Sequence, residues 1–137
     1  MSEARERTNR AMLRVRDTLD RDYDHDLDIE ALARLVHVSP DHLIRTFRAV
    51  FGETPHRYLQ RRRVERAMFL LRSTDRSVTD ICMAVGFSSL GTFSRVFRDV
   101  VGEPPSVYRR RGPLPPVPSC FAMAWLRPSS FGEAPGE

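Results

Sequence analysis

The stretch Ser39-Pro40-Asp41-His42-Leu43-Ile44-Arg45-Thr46-Phe47-Arg48-Ala49-Val50-Phe51-Gly52-Glu53-Thr54-Pro55 has a counterpart fifty residues on: Ser89-Leu90-Gly91-Thr92-Phe93-Ser94-Arg95-Val96-Phe97-Arg98-Asp99-Val100-Val101-Gly102-Glu103-Pro104-Pro105. From Ser39 to Leu59, nine of 21 positions keep their residue at this shift: Ser39, Arg45, Phe47, Arg48, Val50, Gly52, Glu53, Pro55 and Tyr58 recur as Ser89, Arg95, Phe97, Arg98, Val100, Gly102, Glu103, Pro105 and Tyr108. Upstream the register changes to 49, with Val36 onto Val85 and Ser39 onto Ser88, so the second turn carries one more residue. Identity at a fixed period marks a duplicated structural unit.

Each copy spells the same local structure. Asp28 caps a two-turn helix whose inner face is Ile29, Leu32, Ala33 and Val36. His37-Val38 make a short turn, Ser39 caps, and Pro40 takes the first helical position, where its missing N–H costs nothing. Leu43, Phe47 and Val50 then form an inward stripe that runs to Gly52, a left-handed helix end. In the second copy Ser77 caps a helix with Val78, Ile81, Cys82 and Val85 inward, and Gly86-Phe87-Ser88 make the turn. Ser89 caps the next helix, bearing Phe93, Phe97 and Val100 and ended by Gly102, and Pro104-Pro105 open a short helix to Arg111.

A helix beginning at Thr54-Pro55 and ending near Ser73 joins the copies, with Leu59, Ala67, Leu70 and Leu71 inward and Arg57, Arg61, Arg62, Arg63, Arg66 and Arg72 interleaved. Ahead of both, Asn9 to about Arg21 carries Met12, Val15 and Leu19 at helical spacing. The fold class is all-α: two helix-turn-helix subdomains joined by a long central helix, with a Pro-rich C-terminal tail. The expected layout is a flexible lead-in over 1–8 and a domain over 9–111, followed by a tail over 112–137. Within the domain, 9–53 and 74–111 are the two subdomains and 54–73 the linker helix.

Composition narrows the function. A chain of 137 residues that is 41% hydrophobic packs a core and is too apolar for intrinsic disorder. No run approaches the roughly 20 apolar residues of a membrane span, and the charged N-terminus precedes no apolar stretch. Cys82 and Cys120 make no disulfide framework, so a reduced, cytoplasmic chain is expected. All 22 basic residues are Arg, and the excess is local: residues 31–111 hold fifteen Arg against seven acids, whereas residues 1–30 hold six against nine. A basic middle of this kind suits a polyanion.

An enzyme fails on inventory. His25, His37, His42 and His56 have no ligand spacing with the cysteines, no Gly-rich phosphate loop occurs, and no nucleophile has a base in reach. No cofactor and no metal are expected. Asp22-Tyr23-Asp24-His25-Asp26 has the alternation of a calcium loop, but Leu27 stands where its glycine must sit and Ala33 where its bidentate glutamate must sit. It reads as a solvated, capping turn.

A helix-turn-helix pins its second helix across its first, freeing one face to enter a major groove. On helix 40–50 that face presents Asp41, Ile44, Arg45 and Arg48; on helix 89–101 it presents Leu90, Gly91, Ser94, Arg95 and Arg98, with Thr92 nearby. Arg45 and Arg95 occupy equivalent slots and suit bidentate bonding to guanine N7 and O6. Arg48 and Arg98 suit phosphate, or pairing with Glu53 and Asp99. Leu43, Phe47, Phe93 and Phe97 read as core and Tyr58 and Tyr108 as structural. The triplet Arg61-Arg62-Arg63 points three ways around its helix, so at most two can face DNA.

This string of motifs resembles the DNA-binding domain of the AraC/XylS-type transcriptional regulators. The resemblance rests on Ile29-Glu30-Ala31-Leu32-Ala33, Val38-Ser39-Pro40-Asp41-His42-Leu43, Phe47-Arg48, Gly52-Glu53-Thr54-Pro55, Arg63-Val64-Glu65-Arg66-Ala67 and Leu70-Leu71. In the second half it rests on Val78-Thr79-Asp80-Ile81-Cys82, Val85-Gly86-Phe87-Ser88-Ser89, Phe93-Ser94-Arg95-Val96-Phe97-Arg98, Gly102-Glu103-Pro104-Pro105 and Tyr108-Arg109. It covers roughly residues 9–111; Cys82 stands where the family usually has Ala.

The resemblance implies seven helices and two recognition helices in successive major grooves of double-stranded promoter DNA; physically, a monomer with two unequal reading heads needs an asymmetric site rather than a palindrome. By it, Asp41, Ile44 and Arg45 in the first subdomain and Leu90, Gly91, Thr92 and Arg95 in the second match base-facing positions. Arg48, Arg57, Arg61, Thr79, Ser88, Ser89, Ser94 and Arg98 are the phosphate candidates. Leu90 and Gly91 depart from the polar residues common there, which leaves two readings open. Leu90 contacts a thymine methyl, or this helix chiefly holds phosphates through Arg95, Ser89 and Arg98.

The expected protein is a stand-alone, nucleoid-associated regulator. Its tail, with Cys120-Phe121-Ala122-Met123-Ala124-Trp125-Leu126 behind a proline run, either folds back or docks RNA polymerase or a co-regulator. The competing reading is a protein-interaction module of the same fold acting through a partner. With about six to ten phosphate contacts, affinity for duplex DNA falls by about 10³–10⁵ between about 50 and 200 mM salt. A salt titration of binding checks this, and a flat curve contradicts it.

Overall fold

The computed structural model describes residues 2–112, as seven α-helices with no strand among them. The calls on the Pro-rich tail, with Cys120 and Trp125, lie outside the described residues. No helix among those described is long and apolar enough to cross a membrane. The chain divides into two compact units between Leu59 and Gln60.

The first unit holds α1 (Glu3–Arg21), α2 (Ile29–Leu35), α3 (Pro40–Phe51) and the opening turn of α4 (Pro55–Ser73). Its core is Met12, Val15 and Leu19 of α1 with Leu32, Ala33, Val36, Leu43, Phe47 and Tyr58. The apolar spacing of the sequence predicts these contacts, but the first helix starts earlier than the expected Asn9. Ser2 accepts the backbone N–H of Arg5 and caps α1, while Glu3 and Glu6 sit in the first turn, where the helix dipole favours negative charge. Residues 3–8, expected in a flexible lead-in, are therefore helical. Tyr58 closes the unit: its ring meets Phe47 edge-on at 5.8 Å and its hydroxyl donates to Asp20 at 2.6 Å.

Val50 departs from its expected inward place and is 37% exposed. The stripe Leu43–Phe47 continues at the next four-residue step to Phe51, whose ring lies 4.6 Å from that of Phe47, and Val50 turns out of the packing. The Arg16 guanidinium covers the outer face of Phe51 at 4.9 Å.

The second unit runs from Gln60 through the rest of α4 to α5 (Val78–Ala84), α6 (Leu90–Val101) and α7 (Pro105–Arg109). Val64, Ala67, Leu71, Ile81, Cys82, Val85, Phe93 and Phe97 are almost wholly buried. Phe87, Phe93, Phe97 and Tyr108 form a chain of rings 5.2–5.7 Å apart. Arg109 Nε donates to the Leu71 carbonyl at 3.0 Å, and the Arg72 guanidinium lies 5.5 Å from the Tyr108 ring, fastening α7 to the end of α4. The Cys82 thiol, whose pKa is pushed up by burial, lies 3.6 Å from the Ser89 carbonyl at the entry to α6.

The duplication is visible residue by residue. The side chains of Asp28, Ser39, Ser77 and Ser89 accept the N–H three residues on at 3.0–3.1 Å. Gly52 and Gly102 end α3 and α6 in the left-handed region at φ 84° and 96°. Between the paired helices, His37 (φ 60°) and Gly86 (φ 104°) make the same left-handed turn. The following N–H groups, of Val38 and Phe87, then bond back to Ala33 and Cys82 at 3.0 and 3.1 Å.

An L-residue in the left-handed region costs about 1–2 kcal/mol, partly offset by the entropy glycine loses on folding. His37→Gly is therefore expected to raise stability by about 0.5–1 kcal/mol, and Gly86→Ala to lower it by about 1–2 kcal/mol. Urea melts of the two variants measure both; a destabilised His37→Gly contradicts the reading of this turn.

Candidate nucleic-acid interface

Burying Leu43 and Phe47 on α3 turns the opposite stripe to solvent. Asp41, Arg45 and Arg48 are exposed and Ile44 half-buried. On α6 the buried residues are Phe93, Val96 and Phe97, Val96 being one the repeat pattern does not reveal. Leu90, Gly91, Arg95 and Arg98 are exposed, and Ser94 and Thr92 half-buried. Positions 91, 94, 95 and 98 recur every three or four residues and so share one face.

Arg45 and Arg95 stand six residues past their capping serines, in matching slots. Among the described residues, the guanidinium groups of Arg45, Arg48, Arg95 and Arg98 make no hydrogen bond or ion pair, although Glu53 and Asp99 are close in sequence. Four cations left free on two repeated helices is an unspent capacity: each can donate in parallel to a planar acceptor pair or to a phosphate.

The remaining candidates divide. Ser88 and Thr79 are exposed and Arg57 half-buried. The Ser89 hydroxyl is engaged in its own cap, accepting the Thr92 N–H at 3.1 Å and donating to the Thr92 hydroxyl at 2.9 Å. Arg61 does not stand free. Its guanidinium donates to Glu65 at 3.0 Å, and the Glu65 side chain is 1% exposed.

Of the triplet Arg61-Arg62-Arg63, expected to point three ways, only Arg61 is more than marginally open to solvent. Arg62 and Arg63 are buried, and the Arg63 guanidinium lies 5.6 Å from the Phe87 ring. The long arginine stem packs with apolar neighbours, so a run of arginines need not be a charged surface. The Arg61-x-x-x-Glu65 spacing, one helical turn apart, was the available signal for the pair. His42, which has no ligand spacing with the cysteines, is exposed beside Asp41 in the first turn of α3.

Comparison with known proteins places this geometry. A family model described as a helix-turn-helix domain matches residues 32–111. The regulatory protein SoxS of Salmonella typhimurium is 40% identical over 93 residues, which cover 68% of this chain and 87% of SoxS. The MmsAB operon regulatory protein of Pseudomonas aeruginosa is 38% identical over 85 residues, 62% of this chain but 28% of that protein. A probable AraC family transcriptional regulator from Rhodopseudomonas palustris matches with a TM-score of 0.71 and 30% identity, over 77% of this chain and 99% of that one. The DNA-binding domain of AdpA, solved in complex with a target DNA, matches with a TM-score of 0.68 and 29% identity, over 73% and 90%. With the repeated units, the seven helices and these matches in agreement, the chain belongs to the AraC/XylS-type helix-turn-helix regulators.

Proposed function

We propose that this protein is a non-enzymatic, sequence-specific regulator of transcription that binds double-stranded promoter DNA, with α3 and α6 each entering a major groove. The observation that carries the reading is the pair of free arginines repeated on each helix, Arg45 with Arg48 and Arg95 with Arg98. Asp41, Ile44, Arg45, Leu90, Gly91, Thr92 and Arg95 face bases. Arg48, Arg57, Thr79, Ser88, Ser94 and Arg98 hold phosphates, with Ser89 contributing through its capped turn. Arg61 is left out of this set because Glu65 holds it. The AdpA structure with its target DNA supports duplex binding by a domain of this fold.

The two helices present different residues at their heads, Pro40-Asp41 against Leu90-Gly91. One monomer therefore fits an asymmetric site better than a palindrome. It acts on cytoplasmic, nucleoid DNA.

Duplexes enriched from random sequence supply the test. Arg45→Ala and Arg95→Ala are each expected to cost about 1–3 kcal/mol in binding and to relax specificity at one base pair. Circular dichroism is expected to stay unchanged, since both side chains are exposed. Wild-type affinity in both variants overturns the proposal.

A further inference from the structure

Gly91 has no role in holding the fold. It lies in the first turn of α6, not in the left-handed region that favours glycine, and a Cβ added there meets no atom within 4 Å. A helical glycine is less stable than alanine by up to about 1 kcal/mol. Beside it, Leu90 is 41% exposed at the head of the Gly91–Ser94–Arg95–Arg98 face, whereas the matching position of α3 is proline. An exposed leucine next to a bare backbone, in line with free arginines, is suited to a partner that is anionic overall and apolar where α6 begins.

We infer that Leu90 and Gly91 read thymine: the Leu90 side chain packs on C5-methyl groups in the major groove, and the missing Gly91 side chain lets α6 lie closer to the base edges than any other residue allows. The thymine methyl is the one apolar group the major groove displays, and the flanking cations match the phosphates around it. The α6 half of the site is therefore recognised by methyl contact and close approach. The inference rests on the DNA-binding reading and names the base chemistry of one half of that site.

Titrations by fluorescence anisotropy with the full chain test it, using a duplex selected from random sequence and copies in which single thymines are replaced by deoxyuridine. Loss of the critical methyl is expected to weaken wild-type binding about four-fold. Leu90→Ala is expected to bind both duplexes equally. Gly91→Ala is expected to melt at the same or a higher temperature while its affinity falls about ten-fold, opposite signs that a purely structural glycine would not give. If no selected duplex binds the wild type, the DNA-binding reading itself fails and this inference with it. If the wild type binds and is indifferent to every deoxyuridine, if the loss persists in Leu90→Ala, or if Gly91→Ala keeps full affinity, only the inference is overturned.

Discussion

Each recognition helix is oriented by one phenylalanine clamped against one tyrosine. Phe47 meets Tyr58, and Phe97 meets Tyr108, edge-on at 5.8 and 5.7 Å, with both phenylalanines wholly buried. Burying such a ring is worth about 1.5–3 kcal/mol, enough to set which way a twelve-residue helix faces. Because a helix turns once in 3.6 residues, fixing that stripe inward fixes Arg45, Arg48, Arg95 and Arg98 outward. In both copies the helix that carries the tyrosine, the long α4 in the first and the short α7 in the second, starts at a proline three residues after a left-handed glycine, so the clamp arrives at the same point each time. The face each helix offers to DNA is thus a consequence of core packing.

On this shared frame the copies differ where a partner would meet them. The first turn of α3 offers a carboxylate and an imidazole, Asp41 and His42, and that of α6 offers an alkyl group and bare backbone. The arginines one and two turns further on are the same. Under the proposed function, a common grip with unlike leading edges would let one chain distinguish the two halves of a site, which identical helices would not. On α4, Glu65 binds Arg61, whereas the matching arginines of α3 and α6 are left without such a partner.

Much of this was legible in the chain because capping chemistry is local. Asp28, Ser39, Ser77 and Ser89 each cap as their position predicts, and Gly52 and Gly102 end their helices as expected. What was not legible depends on packing or on non-periodic signals. The opening of α1 has no apolar stripe and is held instead by the Ser2 cap and a Glu3–Arg7 pair at 3.9 Å, so hydrophobic spacing places its start at Asn9. Val50 and Phe51 are both plausible inner residues, and only the ring contact with Phe47 decides between them. The spacing of Arg61-Arg62-Arg63 says that they diverge around the helix but not which of them the fold buries, and it buries Arg62 and Arg63. The exposure of Asp41, Arg45 and Arg95 followed directly from the stripe opposite, and the engagement of Arg61 did not.

Under the proposed function both copies of the repeat read bases, each on its own stretch of duplex. Guanine-methylation interference and hydroxyl-radical footprinting on a single selected duplex measure it most directly. Two separate windows of major-groove contact about one helical turn apart, of dissimilar sequence and both filled by one chain, are expected. A single window, or a palindrome occupied by two chains, would contradict it.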